Sequence, residues 1–108
     1  RIRKSIAAKP LYIAGHDRAC SAINSAYGEA ITVKTGAEGV YSAAFHELGL
    51  GAVLKARDGN KRGAEVAIGA VIRALGYPTD GLVKNFFKPK VLNWAGEEVG
   101  DITVPQFL

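Results

Sequence analysis

The spacing of apolar residues changes several times along this chain, and each change marks an element. Residues 1–9 read as the tail of a helix stopped by Pro10, whose ring cannot continue one. Residues 10–13 read as extended. Gly15-His16-Asp17 reads as a turn, with Asp17 placed to cap a helix over 18–27. On that helix Cys20, Ile23 and Tyr27 share one face, and Gly28 is placed to end it. Alternation then replaces helical spacing. Residues 30–34, 39–45 and 50–57 are β-like runs with short connections, which predicts an antiparallel three-strand meander. Asp58-Gly59-Asn60 breaks the third run.

Helical spacing returns over 61–75, where Ala64, Ile68, Val71, Ile72 and Leu75 fall on one stripe. Gly63 and Gly69 each cost such a helix about 1 kcal/mol relative to alanine. Close packing of the helix on the sheet is the expected compensation. Gly76 ends the helix, with Pro78 beyond it. Residues 77–90 are irregular. Residues 91–94 and 99–104, around a turn at Ala95-Gly96, predict a terminal hairpin. The fold class is therefore α+β: an antiparallel sheet built as a meander plus a hairpin. A long helix in the C-terminal half and a shorter N-terminal one pack it.

A chain of 108 residues that is 48% apolar suits one domain with a real core. It has no methionine and opens on Arg1 in a helix tail, so we expect the C-terminal fragment of a longer protein. The net charge of +4 would suit nucleic acid, but its distribution argues against that partner. Arg1, Arg3, Lys4 and Lys9 form one cluster and Lys84, Lys88 and Lys90 another, and no helix carries a continuous basic face. No stretch reaches the ~18 apolar residues of a membrane span, so neither nucleic acid nor membrane is an expected partner. The single cysteine, Cys20, excludes an internal disulfide framework and fits a reducing compartment, which places the expected location in the cytoplasm.

Candidate chemistry centres on Lys34-Thr35-Gly36. A lysine at a strand end, then a hydroxyl and a glycine, sets a cation and a hydrogen-bonding group on the lip of a sheet. The glycine removes the side chain that would hold a substrate off the backbone. The same triplet accompanies a nucleophilic Ser-x-x-Lys in serine β-lactamases and penicillin-binding proteins; an ordinary exposed lysine before a turn has the same pattern. Glu38, two residues past the glycine, stands where a substrate ammonium can be held, or is a solvated turn residue. His16 and His46 have no second ligand at metal spacing, and the glycine pairs match no dinucleotide or phosphate loop. Cys20-Ser21 reads as a small buried pair.

Longer blocks carry a resemblance. They are Val33-Lys34-Thr35-Gly36-Ala37-Glu38-Gly39-Val40-Tyr41; Leu48-Gly49-Leu50-Gly51-Ala52-Val53-Leu54-Lys55; Asp58-Gly59; and Arg62-Gly63-Ala64-Glu65-Val66-Ala67. Ala14-Gly15, Arg18, Cys20 and Ser21 precede them, and Leu92-Asn93-Trp94, Gly96 and Val99-Gly100 follow. Together they resemble the C-terminal part of the bacterial type II asparaginase family that includes the inducible rhizobial enzymes. The likeness implies a fold similar to that of serine β-lactamases and serine-dependent glutaminases, so the chain resembles a β-lactamase-like half. It also implies hydrolysis of L-asparagine to aspartate and ammonia by a serine nucleophile with lysine partners.

On that resemblance Lys34 and Thr35 are catalytic, with Lys34 the second cation beside a lysine base. Gly36, Ala37, Glu38 and Arg18 bind substrate. Thr35 meets the substrate carboxylate and Glu38 its ammonium. The sequence departs from the family by lacking any Ser-x-x-Lys, since Ser5-Ile6-Ala7-Ala8-Lys9 has one residue too many. It also lacks the Cys-Ser-Gly-Lys segment tied to zinc in the family and its second metal cysteine. No cofactor is thus expected in this segment, and the chain alone is expected to be inactive until the missing N-terminal segment supplies the nucleophile. A homo-oligomer is expected, and a non-catalytic self-associating module using Phe86, Phe87 and Trp94 is the alternative.

Overall fold

Odd-numbered strand residues carry the core. In a computed structural model, which describes residues 1–105 except the side chain of Leu82, Ile31, Val33, Tyr41, Ala43 and Phe45 are all buried. They belong to strands β1 (Ile31–Thr35) and β2 (Val40–Phe45), and β3 (Leu50–Lys55) completes an antiparallel sheet in the order β1-β2-β3. Ile31 stands opposite Phe45 and Thr35 opposite Tyr41, while Tyr41 pairs with Leu54 and Phe45 with Leu50. Period-two alternation puts these residues on one face.

Helices close over that face. Helix α1 spans Ile2–Ala8, α2 Leu11–Ala14, α3 Ala19–Tyr27 and α4 Lys61–Ala74. From α4, Ala64, Ile68 and Ile72 enter the core, and α3 adds Ala19, Cys20 and Ile23. Burying each large aliphatic side chain contributes about 1.5–3 kcal/mol. Asn60 begins α4 by accepting a hydrogen bond from the Arg62 amide at 3.0 Å, the usual arrangement of an N-cap. A 3₁₀ turn (Gly81–Val83) and helix α5 (Lys84–Phe87) follow, then the hairpin of β4 (Lys90–Leu92) and β5 (Glu98–Asp101). The α+β class and both antiparallel sheets agree with the sequence pattern.

Four local expectations are corrected. Residues 10–13 are helical, because Pro10 sits at φ −63° and ψ −28° as the N-cap of α2; proline is tolerated at a helix start, where its missing N–H has no partner to lose. Asp17 caps nothing. It lies at φ 54°, and Arg18 is the N-cap of α3 with no side-chain cap bond. Gly69 meets Phe87 of α5 and not the sheet, and Gly63 has open space around it. The first hairpin strand stops at Leu92, because Asn93 builds the turn: its Oδ1 accepts from the amides of Ala95 and Glu97 at 3.0 and 2.9 Å.

Candidate active site at the end of strand β1

Hydrogen-bond direction alternates along an antiparallel strand. The amide of His46 donates to the Ala30 carbonyl, and that of Gly36 to the Val40 carbonyl. Even positions of β1 therefore point at β2. Ile31, Val33 and Thr35 point their backbone groups at the free edge. Side chains occupy that edge. Val33 N–H donates to Asn24 Oδ1 and Val33 C=O accepts from Asn24 Nδ2, both at 3.0 Å. Thr35 N–H donates to Cys20 Sγ at 3.1 Å, and Lys34 Nζ donates to the Thr35 carbonyl at 2.5 Å. Since Cys20 meets Thr35 and Asn24 meets Val33, the N-terminal end of α3 lies against the last residue of β1. Its orphan N–H groups and partial positive charge point toward the Lys34-Thr35 end.

The five predicted residues 34–38 are continuous, but they divide between two faces. Lys34 is exposed on the outer face, across from Ser42, whose Oγ donates to the Lys34 carbonyl at 3.2 Å. Thr35 turns inward and is half-buried, with its Oγ1 donating to the Gly36 and Val40 carbonyls at 3.2 and 3.4 Å. Gly36, Ala37 and Glu38 are exposed on the turn to β2. Glu38 adopts φ 58°, a left-handed conformation costly for a residue with a Cβ. Lys55 steadies this turn, its Nζ donating to the Glu38 and Ala56 carbonyls at 2.6 and 2.7 Å. Gly39 is required there: at φ +72° a Cβ would stand 2.8 Å from that of Ala56.

Arg18 stands apart from the Lys34 face, at the start of α3. It is half-buried, and its Nε is enclosed without a hydrogen-bond partner among the described residues. It lines a cleft of about 240 Å³ with Leu11, His16, Ser21 and Phe86. It also acts electrically on two groups beneath the strand end. Burial pushes the Glu65 carboxyl above the usual carboxylate range, and Lys61 and Arg18 pull it partly back. Burial, then the interaction with Cys20, whose Sγ lies 3.4 Å from the hydroxyl, drives the Tyr41 hydroxyl far up, against a smaller opposing effect of Arg18.

Cys20, Asn24, Tyr41 and Glu65 thus stand around the candidate site without having been foreseen. Asn24 left a signal, a polar residue four positions after Cys20 on an apolar helical face. Glu65 left none, because on a helix with a polar side it reads as solvated. Among the described residues no three His, Cys, Asp or Glu side chains gather as they would around a metal ion.

The arrangement of an exposed strand-end lysine, a hydroxyl and a tight glycine turn is set in a chain whose residues 1–104 match the family model described as L-asparaginase II. The chain belongs to the L-asparaginase II family. That membership relates this asparaginase II chain to hydrolases of L-asparagine, as the blocks around Lys34-Thr35-Gly36 imply. No curated protein matches it. Among the described residues of this asparaginase II chain, no helix is long and apolar enough to cross a membrane.

Proposed function

We propose that this chain forms one wall of the active site of an L-asparagine amide hydrolase of the rhizobial, β-lactamase-like kind. A segment outside residues 1–108 supplies the nucleophilic serine and its lysine. The observation that carries the reading is the meeting of the Lys34 ammonium, Thr35 and the N-terminal end of α3 at one strand end. Positive charge from Lys34 and the helix end, with the Thr35 hydroxyl between them, suits a substrate and a product that carry carboxylates.

In this reading the incoming serine attacks the side-chain amide carbon and its proton passes to the neighbouring lysine amine. Ammonia leaves with a proton, and water then releases aspartate from the ester. Lys34 acts as a second cation that lowers the pKa of that amine. Thr35 meets the substrate carboxylate, and Arg18 binds substrate from the start of α3. Gly36 and Ala37 admit the substrate to the backbone, and Glu38 holds its ammonium. The protein works in the cytoplasm.

Mixing residues 1–108 with a separately produced segment bearing Ser-x-x-Lys, and measuring ammonia release from L-asparagine, tests the reading. Activity in the mixture and in neither part supports it; ammonia from residues 1–108 alone would contradict it.

One observation favours a second reading, a self-associating module. The hairpin exposes Leu92, Val99 and Trp94, the last wholly solvated at 107% relative exposure. Phe86 and Phe87, by contrast, are half-buried against the core. Concentration-dependent sedimentation, abolished by Trp94→Ser and unaccompanied by hydrolase rescue, is the outcome that would favour this reading.

A further inference from the structure

We propose that Asn24 is a positioning residue that stands in for a neighbouring strand: its carboxamide grips the free edge of β1 and sets where Lys34 and Thr35 stand. Its consequence for catalysis rests on the reading above; the clamp itself does not.

Asn24 is wholly buried. It gives Val33 one acceptor and one donor, both at 3.0 Å, as a residue of an adjacent strand does. Four residues along a helix rise about 6 Å; two residues along a strand rise about 6.6–6.8 Å. Asn24 and Cys20, four apart, therefore keep step with Val33 and Thr35, two apart. Cys20 takes the next edge amide. Aliphatic side chains at both positions would leave buried backbone groups unpaired, which is costly.

The chemistry of the arrangement is specific. A strand paired along this edge would run on past Thr35 and cover the end of β1. A helix ends its contact at Cys20 and turns away at Arg18, so Lys34-Thr35-Gly36 is held firmly yet left uncovered. The clamp also blocks the edge against accidental pairing with another chain. Tyr41 accepts from the Cys20 thiol and so aims the sulfur lone pairs at Thr35.

The test uses two variants and two readouts. In Asn24→Leu, which keeps the branched shape but is bulkier and cannot hydrogen-bond, the Val33 amide exchanges with deuterium about tenfold faster or more, while that of Leu54 in the β2-β3 ladder is little changed. Retained protection at Val33, or an equal loss at Leu54, overturns the proposal. If that variant fails to fold, Asn24→Asp decides. The protonated acid can both donate to and accept from Val33, and the carboxylate only accepts. Relative to the parent chain, its Lys34 and Thr35 resonances return toward their normal positions as pH falls, and a defect independent of pH overturns the clamp. In the two-part hydrolase, Asn24→Leu lowers kcat about tenfold with KM little altered. A parent mixture without activity sinks the catalytic reading, and amide exchange still decides the clamp.

Discussion

Phe87 fills the space that a side chain at Gly69 would need: a Cβ there would stand 2.3 Å from the Phe87 ring Cγ. The close approach docks α5 on α4. Gly69→Ala therefore forces either the ring or the helix aside, and we expect a loss of about 1–3 kcal/mol. Phe87→Leu should recover part of that loss in the double variant. Gly63 is the control, because nothing lies within 4 Å of a Cβ built on it. Gly63→Ala should gain up to about 1 kcal/mol from helix propensity alone. Denaturant midpoints of the four variants check both statements.

Glu65 makes stability depend on pH. Burial raises its folded-state pKa above the unfolded value, so the native state prefers the protonated acid. The stability tied to protonation is full below the unfolded pKa and is lost as pH rises through the folded one. Glu65→Gln stays neutral throughout. It should be more stable than the parent at neutral pH, with the difference shrinking as pH falls through the carboxyl range. Urea titrations at both ends of that range measure it, and a constant difference would contradict the cause.

Glu38 offers a variant that separates folding from binding. Its left-handed backbone costs about 1–2 kcal/mol in a residue with a Cβ. Glycine relieves that cost but loses about 0.4–1 kcal/mol through the freer unfolded chain. Glu38→Gly should thus range from neutral to about 1.6 kcal/mol more stable than the parent. If its carboxylate holds the substrate ammonium, the same variant raises KM in the two-part hydrolase and leaves kcat nearly unchanged. An unchanged KM removes Glu38 from the site.

Much of the fold was legible because its elements depend on local periodicity. The alternation from Ile31 to Phe45 and the stripe of Ala64, Ile68 and Ile72 each fix a buried face without reference to distant residues. Pro10 was misleading for a local reason: the same ring that stops a helix in its interior is well placed at the start of one. The Gly69–Phe87 contact was illegible because it depends on how α5 returns across α4. The site divides in the same way. Lys34, Thr35 and Gly36 announce themselves by residue type and order. Asn24 and Cys20 act on them from another element, through a match between helix and strand rise that no single stretch displays. Glu65 is set apart only by its enclosure.

Ammonia release from L-asparagine by residues 1–108 combined with a segment bearing Ser-x-x-Lys shows whether the Lys34 ammonium takes part in amide hydrolysis. Lys34→Met is compared with the parent after both are shown to keep the same amide protection in β2 and β3. Activity is expected with the parent, and a loss of about 100-fold or more in kcat with the variant, on the scale of a positioned proton-transfer or charge-stabilising group. Equal activity from parent and variant would contradict it.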